Sequence, residues 1–217
     1  MKIERIYEGE TAAIIGTGPS LTPEQIAIVD RAGWVKFGAN RAFIFDLDVL
    51  VATNGQFWDM CWEDVKDLRC QKWTTDHAKA LVAAKRYGLN VIPERHAPGL
   101  STDPGYIHHH HGSGPIAVNL ALHFGIKKMC LLGWDMQFRG KVDRHTYTGK
   151  RRYFGEDAVT KTHWPMTGPN GELTGLINEM ATINPDDYGI DIVNCTPGSA
   201  MHCFRMADLE TESTTAS

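Results

Sequence analysis

The stretch Thr11-Ala12-Ala13-Ile14-Ile15-Gly16-Thr17-Gly18-Pro19-Ser20-Leu21 decides the fold. Its first half is a short apolar run, the right length for a strand buried on both faces. Glycines close it. Thr22-Pro23-Glu24-Gln25 then opens a helix: Thr22 can cap, Pro23 suits the first helical position, and Gln25 completes a capping box. Strand, glycine turn and helix in that order are the opening unit of a parallel sheet with crossover helices.

The pattern repeats outward from this unit. Strands are predicted at 34–38, 48–53 and 90–92, with helices around 57–68 and 77–87. The segment 94–112, rich in Pro, Gly and His, reads as a loop. In the run PIAVNLALHFG that follows, Ile116, Leu120 and Phe124 recur at helical spacing, and Gly125 ends the helix. The run 128–133, KMCLLG, is the most strand-like in the chain and is expected at the sheet centre. Residues 134–171 are polar, aromatic and too long for an ordinary connection, which predicts a lid or binding loop. A helix at 172–183 and a strand at 190–193 complete the expectation: one α/β, Rossmann-like domain over 1–208, with a mostly parallel sheet, helices on both faces and a flexible tail at 209–217.

Composition narrows the class. The 217 residues are 42% hydrophobic and 22% charged, enough for a single good core. A net charge of −4 argues against nucleic acid as the main partner, which needs a broad basic footprint. No segment approaches a membrane span and the N-terminus has no signal-peptide core, so a cytoplasmic protein is expected. Five cysteines without CxxC spacing point to buried thiols rather than a disulfide framework or zinc ribbon.

In an open parallel sheet, ligands lie outside the carboxyl ends of the strands. The residues after each predicted strand share a character: Gly16-Thr17-Gly18-Pro19-Ser20, Asn40-Arg41, Asn54-Gly55-Gln56, Gly133-Trp134-Asp135 and Asn194-Cys195-Thr196-Pro197-Gly198-Ser199. The first departs from the dinucleotide fingerprint, because Leu21 replaces the third glycine and the second strand ends at Asn40 without an acidic residue. NAD and FAD are disfavoured. What remains is a phosphate cradle at a helix start, or a plain structural turn. Gly112-Ser113-Gly114, directly before a helix, forms a second candidate cradle, with Ser113 as cap or phosphate donor.

The run His108-His109-His110-His111 resembles a purification tag, a metal site or the lip of a pocket. The well-patterned helix after it disfavours a tag. Alternating side chains let at most two of the four share a metal, so the pocket lip is the preferred reading. Asp46-Leu47-Asp48 spells a cation-binding DxD, but it lies at the start of a strand, away from the other loops, where a solvated turn explains it. No metal site is expected. The long loop holds Lys141, Arg144, His145, Tyr147, Lys150, Arg151, Arg152, Tyr153 and His163, which could close over a phosphate or simply be solvated. His163 is the first candidate for a general base, His145 the second. No GxSxG elbow supports a serine hydrolase.

Taken in order, GTGPSL, ANRAF, ATN, GSG with its apolar helix, KKMCLLGWDMQF and NCTPGSA resemble the bacterial CMP-sialic-acid-dependent sialyltransferases of lipooligosaccharide synthesis. The phage and prophage members are the nearest in pattern, and the pterin diphosphokinase-like group is a distant relative. The resemblance spans roughly residues 12–200 and rests on the order of the blocks. It implies a metal-independent glycosyltransferase, without cofactor, that takes a sugar from a nucleotide donor, with a CMP-sugar favoured. It places nucleotide contacts on Thr17, where the family has asparagine, and on Asn40, Asn54, Ser113 and Gly114. One phosphate tyrosine of the family falls at Gln137, so Tyr147 or Tyr153 would supply that phenol, and the catalytic histidine falls on His163. Two alternatives stay open: an Mg2+-dependent diphosphotransferase using Asp135, and a non-catalytic phage nucleotide-binding module. The expected partners are a nucleotide or nucleotide-sugar and an unidentified acceptor, in a chain that could also self-associate.

Overall fold

The computed structural model describes residues 2–108, 112–137 and 172–214. Its strands are β1 (Thr11–Ile15), β2 (Val35–Ala39), β3 (Val49–Val51), β4 (Gln71–Thr75), β5 (Asn90–Ile92), β6 (Glu94–Arg95), β7 (Ile107–His108), β8 (Lys128–Leu132), β9 (Asp191–Asn194) and β10 (Arg205–Met206). Its α-helices are α1 (Pro23–Arg31), α2 (Gly55–Val65), α3 (Ala78–Tyr87), α4 (Ser113–Phe124), α5 (Thr174–Met180) and α6 (Leu209–Thr214). Eight strands form one sheet in the order β10-β9-β8-β1-β2-β3-β4-β5, and every neighbouring pair is parallel. The expected α/β, Rossmann-like architecture is therefore present. From β1 the chain steps outward through β2 to β5, then returns to place β8 on the other flank of β1, so the order reverses between β1 and β8.

The central strands are apolar along their whole length because both faces are covered. Ala12 and Ile14 join Met129, Leu131 and the apolar side of α4, including Ile116 and Leu120. Ala13 and Ile15 join Cys130, Leu132 and residues of α1 and α2 such as Val29 and Phe57. Thr22 and Gln25 make both bonds of the capping box that opens α1. Gly125 ends α4 in the left-handed conformation at φ 98°, where a side chain would be strained.

Several elements depart from the sequence reading. Strand β4 lies in a stretch for which nothing was predicted. Helix α2 begins at 55 rather than 57, because Asn54 Oδ1 accepts the Gln56 N–H at 2.9 Å and caps it. The loop at 94–112 contains a short parallel pair, β6 with β7. The tail expected to be flexible from 209 instead starts as helix α6, with Leu209 and Glu212 buried. Glu212 accepts an ion pair from Lys128 at 2.8 Å and another from Arg205 at 2.6 Å, and Arg205 also reaches Asp191. These charges tie the helix to β8, β9 and β10.

Of the long segment proposed as a lid, 134–137 are described and 138–171 lie outside the described residues. The ends of that excursion meet: Gln137 bridges to Glu172, and the Leu173 N–H donates to Met136 O at 2.8 Å.

Candidate functional site

The loops singled out in the sequence lie at the carboxyl ends of their strands, as a parallel sheet dictates. They form two hydrogen-bonded groups. The first occupies the point where the strand order reverses. There the Gly16 N–H donates to Leu132 O, the Gly18 N–H to Gly133 O and the Leu21 N–H to Gly18 O. Ser20 donates twice to the Oδ2 of Asp135, from its hydroxyl at 2.8 Å and its backbone N–H at 3.3 Å. A β-carbon on Gly16 or Gly18 would stand 2.6 Å from Gly133 O. The glycines thus permit two loops to touch, and Gly133 itself sits at φ 69°.

This changes the reading of the first turn as a phosphate cradle. Pro19 has no N–H, the amides of Gly16, Gly18 and Ser20 already have internal acceptors, and the buried carboxylate of Asp135 stands against the turn. An incoming phosphate would meet a like charge there. The geometry suits a neutral, hydroxyl-bearing part of a ligand better. Asp135 is 2% exposed and its Oδ1 has no hydrogen-bond partner among the described residues, an unusual condition for a buried carboxylate oxygen.

The Asn194–Ser199 turn, expected among the ligand loops, acts as a strut. Thr196 Oγ1 accepts the Trp134 N–H at 2.9 Å, Ser199 Oγ donates to Trp134 O at 2.6 Å, and the Ala200 N–H donates to Asp135 O. Asn194 is held within the turn by Thr196 and Met201. Gln137 Nε2 donates to Gly198 O at 2.7 Å. Met136, at φ 53°, lies in the middle of this braced segment.

The second group centres on Ser113. Its hydroxyl accepts the Thr53 N–H at 3.1 Å and donates to Asn40 Oδ1 at 3.0 Å. One buried side chain therefore fastens the ends of β2 and β3 to the start of α4. Ser113 is the first residue of the helix, not its cap. Gly112 takes the cap position in an extended conformation without a side-chain cap, and among the described residues the N–H groups of Ser113 and Gly114 meet no side-chain acceptor. Asn40 lies at φ 51°, a left-handed conformation that asparagine tolerates better than most residues. With its oxygen held by Ser113, the carboxamide nitrogen makes no hydrogen bond with the other described residues.

Trp134 joins the two groups. Its indole packs between Gly16 and Gly114, where a β-carbon would lie 3.3 Å and 2.9 Å from ring atoms, and its Nε1–H donates to Ile14 O at 2.9 Å. The sequence marked Trp134 only as a neighbour of Asp135. A tryptophan between two glycine-bearing loops was the available signal.

Other candidates fall elsewhere. His163, Tyr147, Tyr153, His145 and the remaining loop cations lie outside the described residues, as do His109, His110 and His111. His108 ends β7 on the flank of α4: its backbone N–H donates to Asn119 Oδ1 and its Nδ1 lies 2.9 Å from Pro98 O. Asp48 ties the start of β3 to β2 by accepting the Lys36 N–H, at the sheet end opposite the site. Among the described residues no group of three or more His, Cys, Asp or Glu side chains could hold a metal, and no helix is long and apolar enough to cross a membrane.

The fold resembles that of the MAf glycosyltransferase from Magnetospirillum magneticum AMB-1, with a TM-score of 0.61 over 100% of this chain at 12% identity. The chain spans 38% of the length of that protein. No family model and no curated protein sequence matches the chain.

Proposed function

We propose that the chain is a glycosyltransferase domain that moves a sugar from a nucleotide donor, a CMP-sugar by preference, to an acceptor hydroxyl. One observation carries this reading: Ser113 fastens the ends of β2 and β3 to the start of α4, and among the described residues Asn40 Nδ2 and the N–H groups of Ser113 and Gly114 meet no side-chain acceptor. The likeness in fold to a glycosyltransferase supports it.

In this reading the donor's phosphate lies against Gly112, Ser113 and Gly114, where the helix dipole and amides favour negative charge. The nucleoside lies toward Gly16, Thr17, Gly18, Pro19, Ser20, Gly133, Asp135 and Gln137, with Asp135 Oδ1 free to accept from a hydroxyl. Asn40 and the amide nitrogen of Asn54, which makes no hydrogen bond with the described residues, complete the frame. His163 takes the acceptor's O–H proton as that oxygen attacks the anomeric carbon. The bond from that carbon to the phosphate oxygen breaks, and Tyr147 or Tyr153 donates a hydrogen bond to the departing nucleotide. No metal takes part in this scheme.

The diphosphotransferase reading draws on the unpartnered Oδ1 of Asp135 as an Mg2+ ligand. Thermal shifts with CMP, UDP, GDP and ADP and their sugar conjugates test the assignment, since a ligand of the folded form raises Tm. A CMP-sugar should give the largest shift and be consumed in EDTA, and His163→Ala should abolish transfer while sparing nucleotide binding. No shift with any nucleotide would reject the proposal, and loss of turnover in EDTA would favour the diphosphotransferase.

A further inference from the structure

Four cationic side chains among the described residues are partly buried: Lys36, Arg41, Lys72 and Lys128. Three are matched. Lys36 pairs with Asp30, Lys128 pairs with Glu212, and Lys72 donates to the carbonyls of Leu68 and Cys70. Arg41 makes no ion pair or hydrogen bond with the described residues, and its Nε is buried with no acceptor. A buried N–H of a charged group without a partner costs free energy that native proteins rarely leave unmet.

The position of this cation matters more than its isolation. Arg41 follows Asn40 in the 3-10 turn Asn40–Ile44 that caps β2, so its backbone is adjacent to the residue that bonds Ser113. Among the described loops that follow β1, β2, β3, β8 and β9, it is the cationic residue closest in sequence to its strand end. Asp135, the acidic residue of the loop after β8, is held by Ser20. Among the described residues Arg41 is also bound to no acidic neighbour that would have to be displaced when a ligand arrives.

We propose that Arg41 binds an oxyanion of the ligand, either a phosphate or a sugar carboxylate, and so selects for a negatively charged group beside Asn40. The planar fork of the guanidinium fits both oxyanions in bidentate fashion, whereas an ammonium would act as a point charge. The inference rests on the transferase reading only for the ligand's identity, because oxyanion recognition would serve either transferase chemistry.

Calorimetric titration with inorganic pyrophosphate and with glucuronate tests it, on the wild type, Arg41→Gln and Arg41→Lys. The wild type should bind at least one of the two anions, and the stronger arm tells phosphate from carboxylate. Arg41→Gln should weaken that anion by roughly tenfold or more, with Arg41→Lys intermediate, because a charged bidentate contact is lost or reduced. Binding of uncharged cytidine should be equal in all three proteins, and Arg41→Gln should melt within about 2 °C of the wild type, since it gives up no internal partner. A wild type that binds neither anion, an unchanged affinity in Arg41→Gln, or a melting point that collapses in that variant would each overturn the proposal. Anion binding that depends on Arg41 without any consumption of nucleotide-sugar would leave it standing and reject the transferase reading instead.

Discussion

Replacing Glu212 with glutamine should remove the clamp that holds α6 on the sheet. The Arg205 guanidinium and then the Lys128 ammonium hold the Glu212 carboxyl at about 2, against an ordinary value of 4.5. That difference corresponds to about 3 kcal/mol of stability if fully expressed. Arg205 is 52% exposed, so solvent screening leaves about 2 kcal/mol. The sign follows from a depressed carboxylate: the contribution is complete above the ordinary value and is lost as pH falls toward 2. Urea unfolding of wild type and Glu212→Gln should therefore differ by about 2 kcal/mol at pH 7 and by less than half that at pH 3. Equal stability at pH 7, or a gap that does not shrink in acid, would refute the reasoning. Amide exchange should locate the loss in α6 and β10.

Gly18→Ala should lower stability by about 2 kcal/mol, because its methyl would press on Gly133 O and the Asp135 carboxylate; a melting curve checks this. Ser113→Ala leaves the Thr53 N–H and Asn40 Oδ1 without their buried partner, a loss of about 1–3 kcal/mol in urea unfolding that should come with weaker nucleotide binding. His123 is buried, and burial pushes its imidazole below the ordinary value of 6.5, while the carbonyl of Tyr106 accepts from Nε2–H. Its neutral form supports the fold, so that share of stability is complete above 6.5 and declines as pH drops below it. NMR titration should place the His123 midpoint under 6.5, and a midpoint above it would contradict the assignment.

The parts of the fold governed by local chemistry were legible in the chain. Thr22 and Gln25 announced α1, Gly125 announced the end of α4, and the unbroken apolar runs of β1 and β8 announced a sheet covered on both faces. Strand β4 was hidden because Gln71, Lys72, Thr74 and Thr75 give QKWTT neither an apolar run nor alternation, although Trp73 is core. Helix α6 was hidden for another reason: LETEST has no apolar stripe, and charges contributed by β8 and β10 hold it.

Among the candidate site residues, the sequence marked the turns but not how they bond to one another. Gly16 and Gly18 read equally well as ligand glycines or packing glycines. The approach of Gly133, more than a hundred residues later, gives them a packing role that no local pattern announces. The bond from Ser20 to Asp135 has the same origin: polar partners brought together by the β1–β8 pairing leave no local pattern. Asn40 was recognisable as a turn residue, whereas its engagement by Ser113 depends on where α4 begins.

The two outermost strands of the eight-stranded sheet, β5 and β10, are three and two residues long. Each rim therefore exposes little unpaired backbone to a neighbouring molecule, and β10 is further guarded by the charged side chain of Arg205. Assembly by strand addition, which would lengthen the sheet from one molecule into the next, has scarcely any template to copy at either margin.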